Sequence, residues 1–339
     1  MTQVLDADTD LDAFRGELTG YCYRMLGSLH DAEDAVQDTL VRAWRAAERF
    51  EGRSSVRSWL YRIATNVCID AIGSRSRRAT PLEIGGPSAP VETSLADVRA
   101  HEEWLEPLPW GTATQDLAAD PAEITAERES VRLAFVAALQ HLPARQRAVL
   151  ILRDVLRWRA DEVAALLGVS TASANSLLQR ARATLAQHHP DDARPLDPLD
   201  ARHQALLERY LDAFERYDID AFVALLHADA TQNMPPFAMW LRGADDIGAW
   251  MTGPGHGCRG SRLVPTRGAN GSAAVAQYRR ADPDDETAGH VPWAVHVLEV
   301  SDGRVGSITS FLDTRLFAAF GLPDSLPHGA PLPRPADGA

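Results

Sequence analysis

Apolar residues recur at helical spacing through the first quarter of the chain. Leu11, Phe14, Leu18, Tyr21, Cys22 and Met25 mark one helix, closed by Gly27. Val36, Leu40, Ala43 and Ala47 predict a second over Asp31–Glu48, with Asp31 as N-cap and Asp34 three residues on, a variant of the capping box. After a polar loop, Phe50–Ser55, a third helix turns Leu60, Ile63 and Val67 inward and ends near Ile72. The period then lapses across residues 79–127, where prolines and glycines are scattered, so this stretch reads as a linker. Inside it, Trp104–Trp110 is too apolar for an idle tether and is expected to dock on a surface.

Helical pattern resumes over Glu127–Gln140, and Leu142-Pro143 opens the next helix with Pro at its first turn. Asp161–Ser170 followed by Thr171–Gln187 has the form of a helix-turn-helix. Ala164 permits close approach, Gly168 turns the chain and Ser170 caps the second helix. Ala174, Leu177, Leu178, Ala181 and Leu185 face inward. Residues 188–201, rich in Pro and Asp, read as a second linker. Beyond them lie two amphipathic helices, Leu206–Phe214 and Ile219–Leu226, a short helical piece at Asp245–Met251, and strand-like runs at Ala273–Arg279, Trp293–Val300 and Val305–Leu312. Asp302-Gly303 between the last two is a hairpin signal. The proline-rich end, 321–339, is expected to be a disordered tail.

Charge divides this helical frame. The net charge is −13, which excludes a protein that coats DNA uniformly. Yet Arg53–Arg78 holds six arginines against Asp70 alone, and Arg145–Arg182 holds seven against three acids, while the first forty residues carry nine acids and two arginines. All 34 basic residues are arginine, which codon bias in a GC-rich genome explains. Cys22, Cys68 and Cys258 are odd in number and far apart, fitting a reducing compartment and giving neither a disulfide frame nor a zinc site. With no signal peptide and no long apolar run, the expected location is the cytoplasm.

The second helix shows Glu33, Asp34, Gln37 and Asp38 on its polar face, a surface suited to a basic protein groove. The third offers Arg57, Arg62 and Asn66, suited to a phosphate backbone and unstacked bases. The outer face of the last helix of the helix-turn-helix (Thr171, Ser173, Asn175, Ser176, Gln179, Arg180 and Arg182) suits major-groove reading.

Asp31-Ala-Glu-Asp-Ala-Val-Gln-Asp38 with Arg42-Ala-Trp44, and Arg57-Ser-Trp-Leu-Tyr-Arg-Ile-Ala-Thr-Asn66, resemble region 2 of an extracytoplasmic-function (ECF) sigma factor. Leu142-Pro-Ala-Arg-Gln-Arg147 with Glu162–Ser170 resembles its region 4. Residues from about 203 to 320, on helix order, Tyr210-Leu-Asp-Ala-Phe214, the Trp240–Trp250 segment and the final hairpin, resemble a SnoaL-like domain. The resemblance implies a multidomain chain: two all-α sigma domains, region 2 at 10–78 and region 4 at 128–187, followed by an α+β cone-shaped domain at 202–320.

It also implies partners and roles. Asp31, Glu33, Asp34, Gln37, Asp38 and Arg42 would bind the clamp helices of the largest subunit of core RNA polymerase, with region 4 at the flap. Phe50, Arg53, Ser54, Ser55, Arg57, Trp59, Arg62 and Asn66 would hold the −10 element of promoter DNA, and the helix-turn-helix residues would read the −35 element. Melting then rests on capturing a flipped base and stabilising the open strand, which is not an enzymatic step and requires no cofactor. Only Phe50, Trp59 and Tyr61 supply aromatics for it. Trp104, Leu105 and Pro107 resemble a linker segment of ECF sigma factors that carry this extension, and an intramolecular contact of the C-terminal domain with that segment or the sigma domains is expected to regulate the protein.

Trp240, Trp250, Tyr278, His296 and Phe311 are candidate pocket residues of the cone, with His296 as a candidate general base and Asp313 its acid by sequence proximity alone. The plainer reading is that they fill the cone. As an alternative the C-terminal domain is a small-molecule-binding or enzymatic module that uses the sigma part as output. A helix-turn-helix repressor with a fused enzyme is disfavoured by the acidic helix that precedes the basic one.

Overall fold

The computed structural model describes residues 10–52, 54–74, 77–112, 128–188, 194–197, 200–285 and 287–330. It divides into two compact units, one of residues 1–78 and 111–190, the other of 79–110 and 191–339.

The first unit is all helix. Arg15–Leu26 (α1) ends at Gly27, whose φ of 72° is the left-handed turn that glycine adopts without strain. Ser28, not Asp31, caps α2 (Leu29–Ala46): its hydroxyl accepts from the Asp31 amide. The expected cap was placed three residues late because Leu29 and Ala32, both buried, already belong to the apolar face. Asp31 instead enters the first turn, where a carboxylate complements the helix dipole. Ser55 caps α3 (Val56–Gly73), accepting from the Ser58 amide.

Among the described residues this unit also holds α4 (Leu133–Gln140), α5 (Ala144–Leu150), α6 (Ala160–Leu167) and α7 (Thr171–Gln187). Gly168 turns the chain at φ 65° and the Ser170 hydroxyl accepts from the Ser173 amide, giving the expected helix-turn-helix. Between α5 and α6 lies one wide turn, Ile151–Val155.

The two halves of this unit share one interior. Arg24, 2% exposed, donates to the Ser130 hydroxyl at 2.7 Å. Arg147 donates to the Met25 carbonyl at the end of α1. Tyr61 of α3 packs on Trp158, ring centroids 5.0 Å apart.

In the second unit, β1 (Arg194–Pro195), β2 (Leu226–Asn233), β3 (Trp240–Arg242), β4 (Arg262–Pro265), β5 (Ala274–Arg280), β6 (His290–Ser301) and β7 (Arg304–Phe311) form one sheet. Its order is β3-β2-β7-β6-β5-β4, with β1 on β6, and only the β2–β7 pair is parallel. Asp302 and Gly303, at φ 49° and 73°, make the predicted β6–β7 turn. Three helices, α8 (Ala201–Glu215), α9 (Ile219–Ala224) and α10 (Ala244–Thr252), share a core with one sheet face through Tyr210, Phe214, Phe222, Trp250, Leu298 and Ile308.

Three stretches differ from their sequence reading. Residues 79–110, expected as linker, are part of this second unit. In the second expected linker, Leu196 is fully buried and its amide donates to the Ser272 hydroxyl at 2.6 Å, because a leucine beside a strand edge gains more by burial than by solvation. In the expected tail, Leu326 pairs with His290 and the Tyr278 hydroxyl donates to the Pro323 carbonyl at 2.8 Å. Residues 331–339 lie outside the described residues. A short helix, α11 (Leu316–Ala319), packs Phe317 edge-on against Tyr278.

Deleting residues 322–339 is expected to destabilise the second unit by roughly 3 kcal/mol, the sum of one buried leucine and the lost hydrogen bonds. An unchanged urea midpoint for that unit would show the segment to be dispensable.

Candidate nucleic-acid interface

The acidic face of α2 carries Glu33, Asp34 and Gln37 exposed, with Asp38 ion-paired to Arg42 one turn on, at 2.7 Å. Asp31 leaves this face. Its carboxylate lies 2.6 Å from Arg78, both largely buried, because the cap at Ser28 rotates it towards the end of α3. One further side chain is conspicuous: Trp44, at the end of the same helix, is 75% exposed.

On α3 and the loop before it the expected DNA-facing residues separate by environment. Arg62 and Asn66 are exposed and Ser55 is occupied as N-cap. Phe50 and Trp59 lean on each other, ring centroids 5.0 Å apart, and Ser54 is partly buried. Arg53 lies outside the described residues. Tyr61 is not available to unstacked bases: it is fully buried against Tyr21 and Trp158, and its hydroxyl donates to Glu17. Burial raises its phenol to a pKa well above the usual tyrosine range.

Arg57 is half exposed, 2.6 Å from Glu17, and its guanidinium lies over the rings of Tyr61 and Trp158. The hydrogen bond to Glu17 holds the arginine firmly protonated. Glu17 and Trp158 were missed from sequence. Their positions, 40 residues before Arg57 and about 100 after it, are joined only by the fold.

All seven expected major-groove residues of α7 are exposed: Thr171, Ser173, Asn175, Ser176, Gln179, Arg180 and Arg182. They stand on a helix whose inner face is fixed by Ala174, Leu178 and Ala181. Arg182 forms two hydrogen bonds with Asp154, at 2.6 and 2.8 Å, which also keep it firmly charged.

In the second unit the apolar linker segment is seated. Trp104 and Leu105 are each 2% exposed, and Pro107 and Leu108 are buried. The Leu108 amide donates to Asn270 Oδ1 and the Asn270 amide donates back to the Leu108 carbonyl, both at 2.9 Å. The Trp110 amide reaches the Gly268 carbonyl at 3.0 Å. Further up the segment, the Ser88 amide donates to the Trp240 carbonyl, and Trp240 Nε1 returns a bond to Gly85. Asn270 sits at φ 51°, a conformation asparagine tolerates better than most residues. The Asn270-Gly271 turn was readable as a turn but not as a clasp.

The five candidate pocket residues do not converge. Trp250 belongs to the core between helices and sheet, and His296 faces the same side, edge-on to Phe214 at 6.0 Å. Trp240 faces the linker segment, Tyr278 faces α11 and Pro323, and Phe311 pairs with Val295, whose alternation points away from His296.

His296 is a satisfied core histidine. Gln277 Oε1, which can only accept, lies 2.9 Å from Nε2, so that nitrogen carries the proton and Nδ1 accepts from Ser310 at 2.8 Å. Asp313 is bonded to Arg315 and lies 3.8 Å from His101, so it is not the acid partner of His296. Among the described residues no cluster of His, Cys, Asp or Glu could hold a metal ion, and no helix is long and apolar enough to cross a membrane.

Three family descriptions match in order: Sigma-70 region 2 over residues 11–78, Sigma-70, region 4 over 132–185, and SnoaL-like domain over 207–308. The chain is 50% identical over 324 residues to the ECF RNA polymerase sigma factor SigG of Mycobacterium tuberculosis, covering 95% of this chain and 85% of that one. It is 28% identical over 256 residues to SigJ of the same organism, covering 72% of each. The crystal structure of SigJ matches 92% of this chain and 98% of its own with a TM-score of 0.57 at 24% identity, a likeness of fold.

Burial lowers His296 to a pKa of about 4, so the unfolded chain binds a proton that the folded chain refuses between about pH 6.5 and 4. Its stabilising contribution is therefore complete above pH 6.5 and is lost as pH falls through that window, about 2 kcal/mol by pH 5. Denaturation of the second unit at pH 7 and pH 5 checks this. A His296→Gln variant is expected to lose most of the difference, and an unaltered slope would contradict the assignment.

Proposed function

The chain belongs to the extracytoplasmic-function (ECF) family of RNA polymerase sigma factors, and from that membership we propose which of its surfaces does what. It binds RNA polymerase, recognises promoter DNA and directs transcription initiation. Its C-terminal part is a SnoaL-like extension and the chain is not an enzyme.

In our reading the exposed face of α2, with Glu33, Asp34, Gln37, Asp38 and Arg42, engages the clamp helices of the largest subunit, and region 4 lies at the flap. Charge complementarity supports the first contact, since an acidic stripe steers a basic partner. Trp44 adds an aromatic anchor of the kind that dominates protein interfaces. Phe50, Trp59, Arg62 and Asn66 serve the −10 element, with Ser54 and Ser55 shaping the loop, and Arg57 joins them once Trp158 withdraws. The exposed residues of α7 serve the −35 element. In our reading this work is done in the cytoplasm, alongside core polymerase and promoter DNA.

The C-terminal domain regulates the sigma domains by holding the linker that connects them. The observation that carries this is the reciprocal pair of hydrogen bonds between Leu108 and Asn270, made over a buried apolar segment. A domain tethered in the same chain needs only modest contacts to hold such a segment, since its effective concentration is high. The alternative, a ligand-binding or catalytic cone, draws no support from candidates that face opposite sides of the sheet.

Arg62→Ala is expected to reduce open-complex formation roughly tenfold while leaving core-polymerase affinity unchanged, because it removes a phosphate contact and nothing structural. Equal losses in both assays would reassign that residue. Leu108→Asp is expected to alter run-off transcription from core polymerase in the same direction as truncation at residue 200, each by threefold or more, about 0.7 kcal/mol. Unchanged transcription in both would remove the regulatory role of the domain.

A further inference from the structure

Arg57 is held by contacts of two origins. Trp158, whose ring centroid lies 5.7 Å from its guanidinium, belongs to region 4. Glu17, its ion-pair partner, and Tyr61, whose ring it also covers, belong to region 2 with Arg57 itself. Separation of the two sigma regions therefore removes the tryptophan and leaves the carboxylate in place.

That carboxylate occupies the edge of the guanidinium that a phosphate would use. Arg57 Nε and Nη2 both point at one oxygen, Glu17 Oε2, at 2.7 and 2.6 Å. Guanidinium forks bind carboxylate and phosphate oxygens through the same geometry, so the two anions exclude each other at this edge. The exchange is readily reversed. Oε2 also accepts from the Tyr61 hydroxyl at 3.3 Å, and the Glu17 side chain is 28% exposed. Departure of Arg57 thus leaves the carboxylate with a protein donor and with water. The Arg57 side chain is itself 47% exposed, so a strand can reach it. An acid in the first turn of α1 is favoured by the helix dipole, but the dipole does not account for a bond to an arginine of α3 forty residues away.

We propose that Glu17 is a positioning residue for DNA engagement: it holds Arg57 back from the −10 strand until a strand phosphate displaces it. This deepens the −10 role proposed for Arg57 and rests on it. The pair lies wholly within region 2, so it acts after polymerase has drawn the sigma regions apart. It sets how strongly region 2 grips the melted strand and leaves the polymerase-binding face of α2 untouched.

The test uses the full-length protein assembled with core polymerase and a fluorescent single-stranded oligonucleotide from the non-template strand of a promoter it transcribes. Glu17→Gln keeps the size of the side chain and an acceptor for Tyr61 but removes the charge. It is expected to tighten strand binding about threefold at roughly 50 mM salt, the gain from releasing one partly exposed ion pair. The gain should vanish by about 0.5 M salt, where such a pair is screened. In an Arg57→Ala background Glu17→Gln should change nothing, whereas beside Arg62→Ala, an exposed arginine of the same helix, the gain of about threefold should persist. A merely structural brace between α1 and α3 predicts weaker or unchanged binding, alike in every background and indifferent to salt. Absence of a gain from Glu17→Gln, while Arg57→Ala weakens strand binding, would overturn the restraint and leave the −10 contact standing. A gain that survives Arg57→Ala would overturn it too. Arg57→Ala without effect even beside Glu17→Gln would remove the −10 contact and the proposal with it.

Discussion

A segment carrying Trp104, Leu105, Leu108 and Trp110 cannot lie in water without exposing an apolar patch, and that constraint organises this chain. The segment lies between the two parts of the sequence that contact promoter DNA. It is seated on the C-terminal unit, where two backbone groups of Leu108 are matched by the side chain and amide of Asn270. Burial supplies the affinity and the hydrogen bonds supply the register. A fold with no need to touch DNA thereby gains purchase on one that must.

The sigma unit has its own constraint. Arg147 gathers the carbonyl ends of α1 and of the α4–α5 turn, and Trp158 closes over Tyr61 and Arg57. Breaking a buried arginine network that serves several acceptors is far more costly than losing a surface ion pair. The two sigma domains therefore have a defined packed state, and Arg57, which we propose serves the −10 element, is partly engaged within it.

Much of this was legible from sequence because it rests on local rules. Helical periodicity, Gly27, Gly168, Ser55, Ser170 and the Asp302-Gly303 turn act within a few residues of themselves. The outer face of α7 follows from the inner one. What escaped depends on long-range contact. Asp31 reads as part of an acidic stripe, yet Ser28 caps the helix and Arg78 claims the carboxylate. Tyr61 reads as a base-stacking aromatic, yet Tyr21 and Trp158 enclose it. β2 to β4 lack clean alternation: in β2, His227, Asp229, Gln232 and Asn233 interrupt the apolar pattern, and Gln232 and Asn233 are nonetheless buried. The cone candidates failed because residues near in type alternate across a sheet whose register only the fold supplies.

The central claim, that the C-terminal domain holds the linker until polymerase takes the sigma domains, is tested most directly by amide hydrogen exchange over residues 104–110 and 268–272. In the free full-length protein the Leu108, Trp110 and Asn270 amides should be strongly protected, and addition of core polymerase should release them together. Rapid exchange of these amides in the free protein would contradict the account, as would protection that persists unchanged when polymerase is bound.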